Sequence, residues 1–67
     1  MQLAVINKGG DWAVFQDGAE LERGGTRSAC IELAEAIAFD AEERGEGVEL
    51  LIQDYLGEVK TRVTGRP

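Results

Sequence analysis

Thr26 to Arg44 (TRSACIELAEAIAFDAEER) is the only stretch of the chain with a sustained helical period, and it constrains the fold more than any other. Apolar residues recur at Cys30, Leu33, Ala34, Ile37, Ala38 and Ala41, spacings of three and four that stack on one side of an α-helix. Glu32, Glu35, Glu42 and Glu43 fall on the opposite side. Such a helix cannot bury its stripe alone, so the remaining segments must present an apolar surface to it.

Those segments read as strands. Gln2 to Asn7 (QLAVIN) is a short apolar run containing Val and Ile, followed by Lys8-Gly9-Gly10-Asp11, where two glycines supply the positive φ angles of a two-residue hairpin loop. Trp12 to Gln16 is the return strand, and Asp17-Gly18 predicts a third, shorter strand over Ala19 to Arg23. Two-residue loops at both turns place Leu3, Val5, Trp12, Val14 and Leu21 on one face, and that face is the expected floor for the helix. Gly24-Gly25 breaks the third strand, Thr26 or Ser28 is the expected N-cap, and Gly45 and Gly47 end the helix. Val48 to Gln53 and Glu58 to Thr64 form a closing hairpin across Asp54-Tyr55-Leu56-Gly57. Opposing Ile52 to Val59 collects Val48, Leu50, Ile52, Val59, Thr61 and Val63 on one side, with Leu51, Lys60 and Arg62 on the other.

The expected architecture is α+β, in the order β-β-(β)-α-β-β. It is an antiparallel sheet of four or five strands with one helix on one face, forming a single domain over 1–67 with a frayed end at 65–67.

Sixty-seven residues lie near the lower limit for independent folding, because a chain of this size buries only about 60% of its unfolded surface. A single cysteine excludes an internal disulfide, and with no histidine there is no zinc-ligand set. No cofactor is expected, and oligomerisation is the expected extra source of stability. No run approaches a membrane span and no signal segment is evident, so a soluble, cytoplasmic chain is expected. The formal charge of −6 is unevenly spread. Residues 32–47 hold six carboxylates against Arg44 alone, whereas residues 48–67 balance. Net acidity disfavours nucleic acid, whose binding relies on Lys and Arg displacing counterions. It suits a basic protein partner.

Gly10-Asp11-Trp12-Ala13-Val14, Gly18-Ala19, Thr26 before an Ala-rich helix, and Asp54 with Gly57 carry a resemblance covering most of the chain. The chain resembles a family of small bacterial single-domain proteins of unknown function, with paired strands, an Ala-rich helix and a closing hairpin. That resemblance implies the fold and no activity. Phe15-Gln16-Asp17 and Gly24-Gly25-Thr26 are also similar to the antitoxin half of a toxin–antitoxin pair whose toxin cleaves mRNA. Gln16 stands where that family has Pro, and its long DNA-binding extension has no counterpart here.

Few residues are candidates for chemistry. Cys30 sits inside the apolar stripe with no histidine to activate it, and reads as a packing residue. Gly24 to Ser28 opens a helix without the lysine of a phosphate loop, and reads as loop and cap. Glu32, Glu35, Asp40, Glu42, Glu43 and Glu46 read as a solvated acidic face, since catalytic carboxylate pairs need burial to separate their pKa values. Phe39 projects from that acidic face, where an aromatic can anchor a partner.

The second sheet face is the most informative feature. Ala4, Ile6, Ala13, Phe15 and Leu51 lie there beside Lys60 and Arg62, whereas a sheet facing water should alternate apolar and polar residues. Self-association, docking of another protein, and a stacking platform for single-stranded nucleic acid compete for it, the last disfavoured by the charge. The expectation is a non-enzymatic interaction module, homodimeric through Ile6, Phe15 and Leu51. The alternative is an antitoxin-like regulator whose acidic helix face, centred on Phe39, binds a small basic RNA-cleaving toxin.

Overall fold

The computed structural model describes residues 1–54 in full and the backbone of residues 59–64. Five strands and one helix follow one another as β1 (Gln2–Lys8), β2 (Asp11–Gln16), β3 (Ala19–Gly25), α1 (Arg27–Glu43), β4 (Val48–Gln53) and β5 (Val59–Thr64). Both early turns take the conformation their residues favour. Gly9 and Gly10 have φ of 62° and 99°, and Asp17 and Gly18 have φ of 50° and 88°, the paired positive angles of hairpin turns that match strand twist. Asp17 also fastens its turn to β1, accepting a 2.8 Å hydrogen bond from the Gln2 N–H through Oδ1.

The strands form one sheet in the order β3-β2-β1-β4-β5. It is mixed, not antiparallel as expected: β1 and β4 run parallel, with Leu3 opposite Leu50 and Val5 opposite Ile52. The chain order gives the physical reason. Two hairpins make β3 parallel to β1, and a single helix packed back across the sheet returns the chain to the end where β3 began. Any strand following that helix must therefore run parallel to β3 and β1, as crossover connections do.

The β1–β2 register agrees with the two-residue loop, pairing Val5 with Val14 and Ile6 with Ala13. The β2–β3 register does not continue as expected. Phe15 opposes Glu20, but Val14 opposes Glu22, so Leu21 becomes the extra residue of a bulge. Leu21 is 47% exposed and contributes nothing to the floor. A second shift between Trp12 and Ala13 takes up Gly24, whose φ of 94° allows it, and extends β3 to Gly25. Bulges and the charges of Glu20, Glu22 and Arg23 are the usual protection of an edge strand against unwanted pairing. The closing hairpin is offset by one residue from the expected register. Gln53 opposes Val59, Ile52 opposes Lys60, Leu51 opposes Thr61 and Leu50 opposes Arg62. Most of its expected turn, residues 55–57, lies outside the described residues, as does the end at 65–67.

Thr26 caps α1, its Oγ1 accepting from the Ala29 N–H at 3.0 Å. At the other end the Gly45 N–H donates to the Glu42 carbonyl at 2.9 Å, and the Glu46 N–H to the Ala41 carbonyl at 3.0 Å. With Gly45 at φ 82° this is a Schellman ending, in which a left-handed residue lets the chain turn back onto the last carbonyls. The helix lies over β2, β1 and β4, and only weakly over β3. Cys30, Ala34, Ala38 and Ala41 are buried against Leu3, Val5, Val14, Val48 and Leu50. Small residues on the helix side let its backbone come close to the larger aliphatic residues of the sheet, each contributing about 1.5–3 kcal/mol on full burial. Trp12 packs on the rim of this core, with the Arg27 guanidinium 5.9 Å from its ring centroid.

Candidate functional site

The core occupies one side of the sheet. On the other, strand alternation assembles Ala4, Ile6 and Lys8 from β1 with Asp11, Ala13 and Phe15 from β2, since Ala4 opposes Phe15, Ile6 opposes Ala13 and Lys8 opposes Asp11. The parallel pairing brings Leu51 beside Ala4 and Glu49 beside Gln2. β3 adds Glu20 opposite Phe15 and Arg23 opposite Ala13. Among the described residues no element packs on this side.

The face is a checkerboard of large and small residues. Ala4 is flanked by Phe15 and Leu51, and Ala13 by Ile6 and Arg23. Ala13 is fully buried among its taller neighbours, whereas Ala4, Ile6, Phe15 and Leu51 are half-buried. The half-burial comes from neighbours on the same sheet and not from a covering layer. The Lys8 ammonium stands 6.0 Å from the Phe15 ring centroid, a cation held over an aromatic face. Arg23 Nε hydrogen-bonds Glu20 Oε1, and Gln2 Nε2 donates to Glu49 Oε1 at 2.9 Å. Among the fully described strands the charged members are thus Lys8 and Arg23 against Asp11, Glu20 and Glu49, a nearly balanced set around an apolar centre.

Of the residues singled out from the sequence, Ile6, Phe15 and Leu51 come together here. For Lys60 and Arg62 only the backbone pairing is described. The one-residue offset makes them Cα partners of Ile52 and Leu50, which belong to the helix side, and their side chains lie outside the described residues. The expected turn put Ile52 across from Val59, and one residue more in that connection is enough to exchange the two faces of β5.

Phe39 stands apart on the exposed arc of α1 and is 65% exposed. Glu32, Glu42 and Glu43 of that arc are exposed, and Glu35 is half-buried. Asp40 and Glu46 both engage Arg44, whose single charge offsets one of the two.

One feature had no sequence signal strong enough to find it. Glu22, Gly25, Ala29, Cys30 and Leu33 line a groove of about 250 Å³ between β3 and α1. It exists because the bulge carries Leu21 out of the floor while the helix sits over the other strands. Cys30 itself is buried, and burial, reinforced by the nearby Glu22 carboxylate, pushes its thiol above the ordinary range. A thiol so held is a weak nucleophile at neutral pH. Among the described residues, no group of three or more His, Cys, Asp or Glu could hold a metal ion, and no helix is long and apolar enough to cross a membrane.

Fold and face together define a small α+β protein with a single helix on one side of a mixed sheet and an open, apolar-centred face on the other. The chain belongs to the bacterial family described as "Uncharacterized protein conserved in bacteria (DUF2188)", whose model matches residues 3–64. No curated protein and no solved structure is significantly similar to it.

Proposed function

We propose that the protein is a non-enzymatic interaction module that works through the helix-free sheet face. The observation supporting this reading is an apolar centre, Ala4, Ile6, Phe15 and Leu51, on a sheet side that no described element covers. A solvated antiparallel pair gains by alternating apolar and polar residues; β1 and β2 are apolar on both sides over much of their length. A contiguous apolar patch on a protein surface is a common mark of a contact site. An anilinonaphthalene sulfonate dye, which brightens on apolar surface, tests it at micromolar protein. Brightening with the wild type and its loss in Phe15→Asp, with circular dichroism unchanged, is the expected result. Equal brightening in both proteins, or none in either, counts against the face.

A second reading rests on Phe39, the most exposed large apolar side chain among the described residues, set beside the carboxylates of α1. In it the protein is an antitoxin-like regulator whose acidic helix face binds a small basic RNA-cleaving toxin, with Phe39 as anchor. A basic protein encoded beside it that co-purifies with the wild type and not with Phe39→Ser would favour this reading over the first.

A further inference from the structure

We infer that the occupant of the helix-free face is a second copy of this chain, stacked sheet to sheet about a two-fold axis with the two helices outermost. The inference rests on the interaction reading above and adds the partner to it.

Three properties of the face point to a copy of itself. The first is relief. Large Ile6, Phe15 and Leu51 surround the small, accessible Ala4 across three adjacent strands, so one surface carries both knobs and a hollow. A two-fold operation brings the same patch against itself, and a patch with both kinds of feature can interdigitate where a uniformly bulky one cannot.

The second is charge. The chain carries −6 in all, and Glu32, Glu35, Asp40, Glu42, Glu43 and Glu46 concentrate acidity on the helix and its exit. The helix-free face holds only Lys8, Asp11, Glu20, Arg23 and Glu49 from the fully described strands, with Glu20 and Arg23 already paired. Apposing two helix faces would bring like charges together. Apposing two sheet faces leaves the helices separated by two sheet–helix layers and one sheet–sheet layer, about 30 Å at roughly 10 Å per layer. That is several times the Debye length of about 8 Å at physiological salt, so the acidic surfaces scarcely repel each other.

The third is size. Five strands about 4.8 Å apart and six or seven residues long at about 3.3 Å each give a face on the order of 500 Å² in projection. Side-chain relief raises this toward the roughly 600 Å² per partner at the lower end of specific interfaces. Area alone does not set affinity, so the test spans about three decades of concentration.

Sedimentation equilibrium of the wild type, Phe15→Asp and Phe39→Asp at about 1 μM and about 1 mM tests the inference, with the dye measurement made on the same samples at the lower concentration. The expected result is a twofold rise from the 7.3 kDa monomer mass for the wild type and Phe39→Asp, and no rise for Phe15→Asp with its circular dichroism retained. A wild-type mass that stays at the monomer value at both concentrations overturns the inference, as does association that survives Phe15→Asp or is lost in Phe39→Asp. If the wild type stays monomeric while the dye still distinguishes it from Phe15→Asp, the second copy is ruled out and the docking face stands. If the wild type stays monomeric and the dye does not respond, both readings fall.

Discussion

Val14 and Phe15 are neighbours in β2 that point to opposite sides of the sheet, and replacing each with aspartate separates the two sides energetically. Val14 is fully buried under the helix. Val14→Asp forfeits about 1.5–3 kcal/mol of apolar burial. It also places a carboxyl where desolvation raises its pKa by several units, which costs about 4 kcal/mol at neutral pH at roughly 1.4 kcal/mol per unit. The sum, roughly 5–7 kcal/mol, is comparable to the whole stability of a domain this size, about 3–10 kcal/mol at 0.05–0.15 kcal/mol per residue. Phe15 is half-buried and its substituent reaches water. Phe15→Asp loses part of its ring burial and the Lys8 contact, worth about 0.5–1 kcal/mol, while the new carboxylate can still attract Lys8. A net loss of about 1–2 kcal/mol lowers the midpoint by roughly 5–15 °C. Urea and thermal unfolding at micromolar protein, followed by circular dichroism, should find Val14→Asp largely unfolded and Phe15→Asp folded and modestly weakened. If Phe15→Asp unfolds and Val14→Asp does not, inside and outside have been exchanged. If both unfold, some layer covers the helix-free face within a single chain.

Other expectations follow from individual residues. The Cys30 thiol, pushed up by burial first and by Glu22 second, keeps its proton in the folded chain at pH values where the unfolded thiol, near 8.5, has lost it. Its contribution to stability is therefore complete below about pH 8 and declines as pH rises toward the folded value; Cys30→Ser should flatten that alkaline decline in urea titrations. Iodoacetamide should label Cys30 slowly in buffer and rapidly in denaturant; equal rates would mean that the thiol is not buried. Thr26→Ala removes the acceptor for the Ala29 N–H and should cost about 0.5–2 kcal/mol. Gly45→Ala forces a Cβ into a left-handed conformation and should cost about 1 kcal/mol, with no change expected had the helix ended otherwise. Phe39→Ser should change stability by less than about 0.5 kcal/mol, as for surface sites generally, and a larger loss would place that ring in the fold.

Much of this fold could be read from the chain because local chemistry decides it. The two hairpin turns, the Thr26 cap and the Gly45 stop are short-range devices, and each took the conformation its residues favour. The cross-strand pairing of Val5 with Val14 and Ile6 with Ala13 followed from a two-residue loop alone. Sheet direction depends on a non-local fact, namely which strand receives the chain after the helix, and there the antiparallel expectation failed. The direction could have been deduced nonetheless, since one crossover helix after two hairpins leaves only the parallel option next to β1. Leu21 failed for a different reason. Its hydrophobicity matched the floor, but a bulge on an edge strand is settled by twist and by Gly24 rather than by pattern. The register of β5 against β4 differs by one residue from the expected one, because the long connection between them, and not the pattern of the strands, sets it. Ile6, Phe15 and Leu51 come together because they lie on β1, β2 and β4, whose registers are set without that turn.

If contact is made by the sheet and not by the helix, the two sides of this molecule respond unequally to concentration. Amide and methyl spectra recorded between about 10 μM and about 1 mM, with a soluble nitroxide to bleach whatever faces solvent, measure this directly. Concentration-dependent shifts and growing protection are expected at Ala4, Ile6 and Leu51, while Leu21 and Phe39 remain bleached throughout. Protection that develops around Phe39 and the α1 carboxylates, with Ile6 and Leu51 unchanged, would contradict contact through the sheet.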